Sequence, residues 1–510
     1  MKPVRDLLKH SSIYAIGQIL TRMASIMLLP LYTHCLTPAD YGVTAILDLT
    51  VAILALMIGG GMVTAVTRFH FDNDDEHHQD RVWWTGFTCI GVVAFLILLP
   101  FWFGRQLLSD LTLGPRLVDG PWFCTLALAT TWAFVIGHIA DTYLRVRKWS
   151  GIFVAISLAR LIFNIGLNVF LLVKLRMGVE GLLIGNLAAT VLHTLALMVV
   201  FCRTRGTFQF DRDMAGQLFR FSIPLVVMSL LCMLMHEADR YVLRAVVSME
   251  EVGVYSLAHK IGFAVHTLCL MPFISIWHVA IYDIERMDRP DQVFARIFRW
   301  FNNGLGILLL GASLTVHQVL PLLTPDSYGD AIDLVSVILL GFFFLGLQIQ
   351  FEVPAMLTKR TGLLVPGSVV GVVINVVGNV LLVPYLGAWG AGWIGVLTYA
   401  ACSLTVLLFC RTVRKIEYPW FSSTAVLLGL CVTYLLVRYG IFPAVGMWAE
   451  LGVSVAVCAV WACALFGRDG LNWWKSGKPR SLDALRTPSS VPLASVPAGT
   501  ETEPVCSSVC

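Results

Sequence analysis

Long apolar runs separated by short polar breaks extend along the chain from residue 10 to residue 466. Each run is long enough to cross the ~30 Å hydrocarbon core of a bilayer as an α-helix, which takes about 20 residues. The pattern therefore predicts an all-α integral membrane protein with fourteen transmembrane helices. Their approximate bounds are 10–33, 42–67, 83–104, 118–142, 150–173, 179–202, 218–243, 251–282, 297–322, 331–357, 362–384, 388–410, 420–437 and 448–466.

Composition supports a membrane protein and argues against a disulfide-linked or zinc-binding domain. Hydrophobic residues make up 57% of the 510 positions, and only 13% are charged, whereas about a quarter are charged in soluble proteins. The first apolar run contains Arg22 and leads into further spans without an A-x-A site, so it does not resemble a cleavable signal peptide. The thirteen cysteines include no C-x-x-C pair, and most lie in apolar segments where they act as small hydrophobes.

The distribution of basic residues predicts the orientation of the chain. With the N-terminus inside, cytoplasmic segments hold 26 of the 36 Lys and Arg residues and periplasmic loops hold six. Positive charge accumulates in cytoplasmic loops of membrane proteins. We therefore expect a multi-pass membrane protein with both termini in the cytoplasm.

An internal duplication divides the predicted spans into two halves. At an offset of 210–211 residues, Asn164 aligns with Asn375 and Asn168 with Asn379, and "DYGVTAILD" (40–48) aligns with "EVGVYSLAH" (251–259). Because each repeat contains an even number of helices, the halves share one orientation and are expected to enclose a cavity. The fold prediction is thus two pseudo-symmetric six-helix bundles plus two extra C-terminal helices.

The predicted organisation has four parts. Residues 1–217 form an N-terminal six-helix bundle, residues 218–417 form a C-terminal six-helix bundle, and residues 418–466 form transmembrane helices 13 and 14. Residues 467–510 are rich in Ser, Pro and Thr. That composition is typical of a disordered tail, which the orientation places in the cytoplasm.

A polar stripe crosses the fifth predicted span. Ser157, Arg160, Asn164 and Asn168 recur at helical spacing and so lie on one face. A charge in the centre of the bilayer costs ~2.5–3.5 kcal/mol on insertion scales, and such residues usually face a cavity or a partner. Arg160 aligns with Gly371 in the second half, so its role is asymmetric. Interhelical hydrogen bonding explains the asparagines equally well.

Two arginines are the main candidates for holding an anionic substrate. Arg22 lies in the middle of the first span with Gln18 on the same face, and Arg160 lies in the fifth span. Guanidinium groups donate paired hydrogen bonds to phosphate oxygens. The cavity candidates are therefore Arg22, Arg160, Gln18 and Asn164; the alternative is that the arginines pair with carboxylates and hold helices together.

Further charged residues are candidates for gating or ion coupling. Glu237, Asp239 and Arg240 lie near the predicted outer end of the seventh span, where Glu237 and Arg240 are three residues apart and can pair. Asp48 and Lys260 lie at similar depth in equivalent helices, where a salt bridge or interfacial snorkelling are equal alternatives. Glu352 is a candidate site for a coupling ion, against a local pairing with Lys359 or Arg360.

Two stretches resemble a known family. "LTPADYGVTAILDLTVAI" (36–53) and "GGGMVTAVTRF" (59–69) resemble the polysaccharide-exporter, or O-antigen flippase, branch of the multidrug/oligosaccharidyl-lipid/polysaccharide (MOP) transporter superfamily. "ADRYVL" (238–243) is similar to an Asp-Arg pair of that family. The resemblance implies a flippase of the bacterial inner (cytoplasmic) membrane. Such a flippase moves undecaprenyl-diphosphate-linked oligosaccharide from the cytoplasmic to the periplasmic leaflet by alternating access for surface polysaccharide biosynthesis. The implied partners are that glycan lipid, the bilayer, a polysaccharide polymerase and chain-length machinery.

Three other functions remain open at this stage. A lipid II flippase of the same fold is one, although those proteins look richer in arginines along the first span, where this chain has Arg22. A cation-coupled multidrug exporter is another, and it would have an acidic, aromatic cavity. A membrane glycosyltransferase or polymerase would need catalytic groups in a large periplasmic loop, whereas the longest such loop, 105–117, has one acid, Asp110.

No enzyme, metal or cofactor is indicated by the motifs. The chain has no phosphate-binding Gly-rich loop and no nucleophile elbow, and nothing suggests nucleic-acid binding. His77 and His78 lie among acids in "RFHFDNDDEHHQDR" (68–81). Adjacent histidines lack a defined metal-ligand spacing, so a solvated cytoplasmic loop is the favoured interpretation.

Overall fold

The computed structural model describes residues 28–73, 75–205 and 208–475, which form α-helices joined by short turns with no β-strand among them. The all-α prediction is confirmed for this part of the chain. The α-helices are α1 Leu29–Cys35, α2 Pro38–His70, α3 Glu76–Phe103, α4 Arg105–Thr112, α5 Gly120–Val146, α6 Ser150–Val169, α7 Gly178–Thr204, α8 Arg212–Val246, α9 Met249–Glu285, α10 Pro290–Leu323, α11 Ala331–Phe351, α12 Val353–Leu357, α13 Val365–Cys410, α14 Trp420–Leu436 and α15 Met447–Lys475.

Twelve helical segments of the described residues are long and apolar enough to cross a bilayer. One of them, Thr361–Cys410, contains both predicted spans 362–384 and 388–410. Gly387 interrupts its helical geometry with φ 55° and ψ −138°, a conformation that glycine adopts without a steric penalty. The first predicted span, 10–33, lies almost entirely outside the described residues. The chain is a multi-pass membrane protein, and the count of fourteen helices stays a prediction.

The start of α2 is set by local sequence. Thr37 is its N-cap, accepting a hydrogen bond from the Asp40 backbone N–H at 3.2 Å, while the Thr37 N–H donates to the Asp40 carboxylate at 3.1 Å. Pro38 occupies the first turn, where its missing N–H costs nothing. This reciprocal capping box fixes the residue at which α2 begins. Helix α2 belongs to the first half and packs against the second.

Helix α2 packs against helices from both halves of the chain. It contacts α5 in the first half and both α8 and α9 in the second half. Within the first half α5 packs on α7, and α7 on α6; within the second half α13 packs on α11 and α8, and α9 on α11. The division near residue 217 and the two six-helix bundles stay predictions.

Two glycines bring α2 and α9 into backbone contact. A Cβ atom at Gly42 would lie 2.2 Å from the Met249 carbonyl oxygen, and one at Gly253 would lie 1.8 Å from the Pro38 carbonyl oxygen. Both distances are too short for any other residue. Gly42 and Gly253 are equivalent in the internal repeat, as are Pro38 and Met249. The contact is therefore reciprocal, as in an interface related by a two-fold axis.

The last two helices pack mainly on α10. Leu310 and Leu314 of α10 form an apolar cluster with Leu430, Val437 and Phe442. Two polar contacts lie nearby. The Arg438 guanidinium Nε, just after α14, donates to the Asp333 carboxylate of α11 at 3.0 Å, and the Gln318 amide of α10 donates to the Glu450 carboxylate of α15 at 3.1 Å. Helices α14 and α15 thus extend the second half and leave the contact between α2 and α9 free.

Candidate functional site

A cavity of about 770 Å³ lies between helices of the two halves. Helices α2, α5, α6 and α7 form one wall, and α8 and α9 form the other. The volume is within the roughly 300–1,000 Å³ range of small-molecule sites. Six charged side chains line it, three acidic and three basic: Asp48, Asp141, Arg160, Glu237, Arg240 and Lys260.

Helices α2 and α9 present equivalent faces of the internal repeat to this cavity. Four pairs of lining residues are each separated by 211 positions: Ala45 and Ser256, Asp48 and His259, Leu49 and Lys260, and Ala52 and Phe263. The helices are thus placed symmetrically while their side chains are not. An acid opposes a histidine, and a leucine opposes a lysine, so the two walls differ in charge.

The polar stripe of the fifth predicted span faces the cavity. Ser157, Arg160 and Asn164 of α6 all line it, whereas Asn168 is fully buried next to it. The equivalent residue of Arg160 in the second half, Gly371, lies under Met235, whose sulfur would be 2.6 Å from an added Cβ. Apolar packing from α8 therefore replaces the arginine in the second half.

Arg160 has no carboxylate partner at ion-pair distance among the described residues. Its guanidinium donates a hydrogen bond to the Thr190 hydroxyl of α7 at 3.3 Å. The nearest lining acid in the first half, Asp141, instead pairs with Arg145, at 3.3 Å between the carboxylate and guanidinium. Asp141 still interacts with Arg160 electrostatically. Arg160 is consequently free to bind an anionic group in the cavity.

Arg240 is held by neighbouring groups. It forms an ion pair with Glu237 on the same helix, and its guanidinium lies 2.9 Å from the His259 Nδ1 of α9. The predicted pairing of Glu237 with Arg240 is present in this structure. Both residues lie in the cavity wall, and the Glu237 carboxylate compensates the positive charge of Arg240.

Asp239 lies behind the cavity wall and does not line it. Its carboxylate accepts hydrogen bonds from the Arg240 backbone N–H at 2.8 Å and from the Tyr255 hydroxyl. It faces a second, much smaller cavity together with His236, whose Nδ1 lies 2.6 Å from the Tyr399 hydroxyl. Adjacent residues of one helix face different ways, which explains why Asp239 separates from Glu237 and Arg240.

Asp48 and Lys260 both line the cavity and are both exposed there. No contact within 4.0 Å joins these two described side chains, so the salt bridge, one of the two alternatives considered, is not formed in this structure. The Lys260 ammonium lies 6.0 Å from the ring centre of Tyr32 and 5.8 Å from that of Tyr41. Aromatic rings thus occupy the position that the prediction gave to the carboxylate.

Glu352 lies away from the cavity, at the end of α11. Its carboxylate accepts a hydrogen bond from the Gln348 amide at 3.0 Å. Neither Lys359 nor Arg360, both described, lies within ion-pair distance, so the local pairing considered as an alternative is not formed. A role in ion coupling stays a prediction for this residue.

Two of the candidates, Arg22 and Gln18, lie outside the described residues. The sequence reasoning also missed several lining residues: Tyr32, Tyr41, Asp141, Asn186 and His193. Asp141 and Arg145 are four residues apart in "HIADTYLRV" (138–146), a spacing that signals a helical ion pair. Asn186 is a single amide in an apolar run, so no sequence pattern indicates that it faces the cavity.

Among the described residues, no group of three or more His, Cys, Asp or Glu side chains is arranged to hold a metal ion. His78 lies in the first turn of α3, where its backbone N–H donates to the Asp75 cap at 3.1 Å. The segment around it contains an ion pair between Arg68 and Asp72. These contacts are local helix-end interactions.

Residues 33–278, just under half of the chain, match the family model described as polysaccharide biosynthesis protein. The fold is similar to a solved structure of the lipid II flippase MurJ in an inward closed conformation. That match has a TM-score of 0.71 at 11% identity and covers 91% of this chain and 100% of that one. This likeness shows that the two proteins share a fold.

A second match within the MOP superfamily is an inward-facing multidrug resistance transporter of the MATE family. It has a TM-score of 0.60 at 14% identity and covers 79% of this chain and 95% of that one. No curated protein matches the chain. The chain therefore has a fold that is also found in a lipid II flippase and in a multidrug resistance transporter.

Proposed function

We propose that the protein flips an undecaprenyl-diphosphate-linked oligosaccharide from the cytoplasmic to the periplasmic leaflet of the inner membrane by alternating access. Both termini lie in the cytoplasm in this proposal, and the product enters surface polysaccharide biosynthesis. The observation that carries the proposal is Arg160, a membrane-embedded guanidinium that faces a cavity between the halves without a carboxylate partner within 4.0 Å. Such a group is suited to phosphate oxygens.

The balance of charges in the cavity supports an anionic ligand near Arg160. The charge of Arg240 is compensated by Glu237, and the charge of Asp141 is compensated by Arg145. Lys260 is shielded by two tyrosine rings and lies in the same cavity as Asp48. Of the two arginines in the described lining, Arg160 is thus the one without a carboxylate within ion-pair distance. Arg22 is a second cation for the diphosphate in this proposal, with Gln18 beside it.

The glycine contact between α2 and α9 supports alternating access. Under the proposed orientation, Gly42 and Gly253 lie toward the periplasm, where backbone contact between the halves closes that side of the cavity. Lipid tails remain in the bilayer during such a cycle, while the diphosphate and sugar cross through the polar cavity. Separation of these two helices is the step that would release the glycan outward.

Arg160 tests the proposal directly. We expect Arg160→Ala to reduce flipping of a fluorescent undecaprenyl-diphosphate glycan in proteoliposomes at least about tenfold, because charge-assisted hydrogen bonds are worth ~1.5–3 kcal/mol. Arg22→Ala is measured in parallel. Arg81→Ala is a matched control, since Arg81 is an exposed arginine 3.6 Å from Asp211 outside the cavity. Full activity of Arg160→Ala, with normal reconstitution, would remove the basis of the proposal.

A cation-coupled drug exporter is the second candidate, because three acids and several aromatic rings also line the cavity. Asp48 could bind a cationic compound directly, and Asp141 and Glu237 could do so if Arg145 and Arg240 moved away. The same proteoliposomes distinguish the two functions. Export of a cationic dye without movement of the glycan lipid would favour the exporter and contradict the flippase.

A further inference from the structure

A ladder of neutral polar side chains continues the α6 stripe beyond Arg160. It consists of Asn164 on α6, Asn186 on α7 and Tyr32 on α1, all of which line the cavity. Asn164 is one helical turn from Arg160, about 6 Å along the axis. The ladder therefore begins next to the group that we assign to the diphosphate.

Hydrogen bonds fix the orientation of these side chains. The Asn164 amide donates to the Asn186 carbonyl oxygen at 3.0 Å. Asn168, fully buried behind the wall, donates to the Asn164 carbonyl oxygen at 3.1 Å and to the Tyr32 hydroxyl oxygen at 2.9 Å. Asn168 thus holds both neighbours in place.

The packing of α6 against α7 depends on a glycine. An added Cβ at Gly185 would lie 2.0 Å from the Asn168 side-chain oxygen. Any larger residue there would displace Asn168 and, through it, Asn164 and Tyr32. The sequence "IGN" (184–186) therefore combines the close approach of the helices with an amide directed at the cavity.

The ladder has hydrogen-bonding capacity that the described protein does not use. The Asn186 amide nitrogen donates to none of the described acceptors, and the Tyr32 hydroxyl accepts from Asn168 while its own hydrogen stays available. On the opposite wall Ser256 is a buried residue, and its hydroxyl has no hydrogen-bond partner in the described part of the chain. Uncharged donors and acceptors of this kind match hydroxyl and acetamido groups.

The second half repeats only part of this arrangement. Asn375 and Asn379, the equivalents of Asn164 and Asn168, are 2% and 0% exposed. The Asn379 amide donates to the Asn375 side-chain oxygen at 3.3 Å and to its backbone carbonyl at 2.7 Å, but neither residue lines the large cavity. A structural role that is common to both halves explains the buried asparagines. It does not explain Asn186 and the half-buried Asn164, which line the large cavity.

We propose that Asn164, Asn186 and Tyr32 form a subsite for the first sugar of the transported lipid. This inference rests on the proposed flippase function and deepens it. It assigns the sugar, the uncharged part of the ligand, to the cavity wall formed by α1, α6 and α7. The first sugar of a lipid-linked glycan is bonded directly to the diphosphate. A phosphate at Arg160 would therefore bring that sugar against the amide ladder one turn away.

Two probe lipids separate sugar recognition from lipid transport. One is undecaprenyl diphosphate carrying a fluorescent trisaccharide, whose flipping is followed by chemical quenching outside proteoliposomes. The other is radiolabelled undecaprenyl diphosphate without sugar, whose exposure is followed by an external phosphatase. The variants are Asn186→Leu, which removes the amide at similar volume, and Tyr32→Phe, which removes only the hydroxyl.

We expect each variant to flip the trisaccharide lipid about tenfold more slowly while the sugar-free lipid moves at the wild-type rate, since one net hydrogen bond corresponds to about that factor. Asn302→Leu is the control. Asn302 also accepts an interhelical amide hydrogen bond, from Gln350 at 3.1 Å, but it lies outside the cavity. This control is expected to leave the ratio of the two rates unchanged.

Two results would overturn the subsite. Equal slowing of both probes in Asn186→Leu and Tyr32→Phe would make the ladder a structural element, and unchanged rates in both would leave it without a role in transport. Failure of the proposed function gives a different result, because the wild-type protein itself would then move neither probe.

Discussion

Single residues in this membrane protein owe their roles to what compensates their charge. Arg160 and Arg240 line the same cavity, yet Arg240 pairs with Glu237 and contacts His259, whereas Arg160 contacts the Thr190 hydroxyl. An ion pair in low dielectric stabilises its own geometry but is poor at binding a second anion. Arginine therefore has a structural role at position 240, whereas at position 160 it is available to bind an anionic ligand.

The Glu237–Arg240 pair can be tested through stability. We expect Glu237→Gln to lower the thermal stability of the purified protein by about 1–3 kcal/mol, since the largely buried Arg240 would lose its charged partner. Combining it with Arg240→Gln should recover part of the loss, because no unpaired charge then remains. Melting temperatures of the two single variants and the double variant measure this coupling. Additive losses would contradict a direct interaction.

At the scale of elements, helix entry and helix crossing are determined by a few small residues. The capping box of Thr37 and Asp40 fixes the start of α2, and Gly42 lies one turn further along. There α2 meets α9 at the equivalent residue Gly253. The motif "LTPADYG" (36–42) thus combines a helix start with a contact surface between the two halves.

Substitution of Gly253 tests that contact. We expect Gly253→Ala to reduce flipping about tenfold or more, because overpacking at a backbone contact costs ~1–3 kcal/mol and forces α2 and α9 apart. Gly166→Ala is the matched control, since no atom lies within 4 Å of an added Cβ there and alanine favours the helix. Wild-type flipping by Gly253→Ala would show that this contact can be loosened without consequence.

At the scale of the whole molecule, the membrane potential can drive the proposed reaction. Two negative charges moving outward across an inside-negative membrane gain ~4.6 kcal/mol per 100 mV, from ~2.3 kcal/mol for each charge. The transporter then requires no nucleotide hydrolysis. A cavity that neutralises most of its own charges leaves the ligand's charge to respond to the field.

Proteoliposomes with a potassium diffusion potential test this drive. We expect outward flipping of the fluorescent glycan lipid to accelerate when valinomycin sets the interior negative, and to slow when the gradient is reversed. Vesicles without protein measure the leak at each potential. A rate that is the same at zero and at roughly −100 mV, a difference worth ~2.3 kcal/mol per charge, would exclude the potential as the driving force.

The sequence alone determined the features that depend on local composition and helical period. Apolar runs predicted membrane helices. The separation of Arg160 and Asn164 by four residues predicted a shared polar face, and the structure places that face on the cavity wall. The cost of burying charge in lipid provides the physical reason. The repeat at an offset of 211 likewise appears in the matched lining residues of α2 and α9.

Only the tertiary structure decided which of these groups meet. It placed Asp239 behind the cavity wall, left Asp48 and Lys260 without a direct salt bridge, and brought Asn186 and Tyr32 to Asn164. These outcomes depend on the rotation and spacing of helices that lie far apart in the chain. Backbone contacts such as that between Gly42 and Gly253 set that spacing, and no local sequence pattern specifies it.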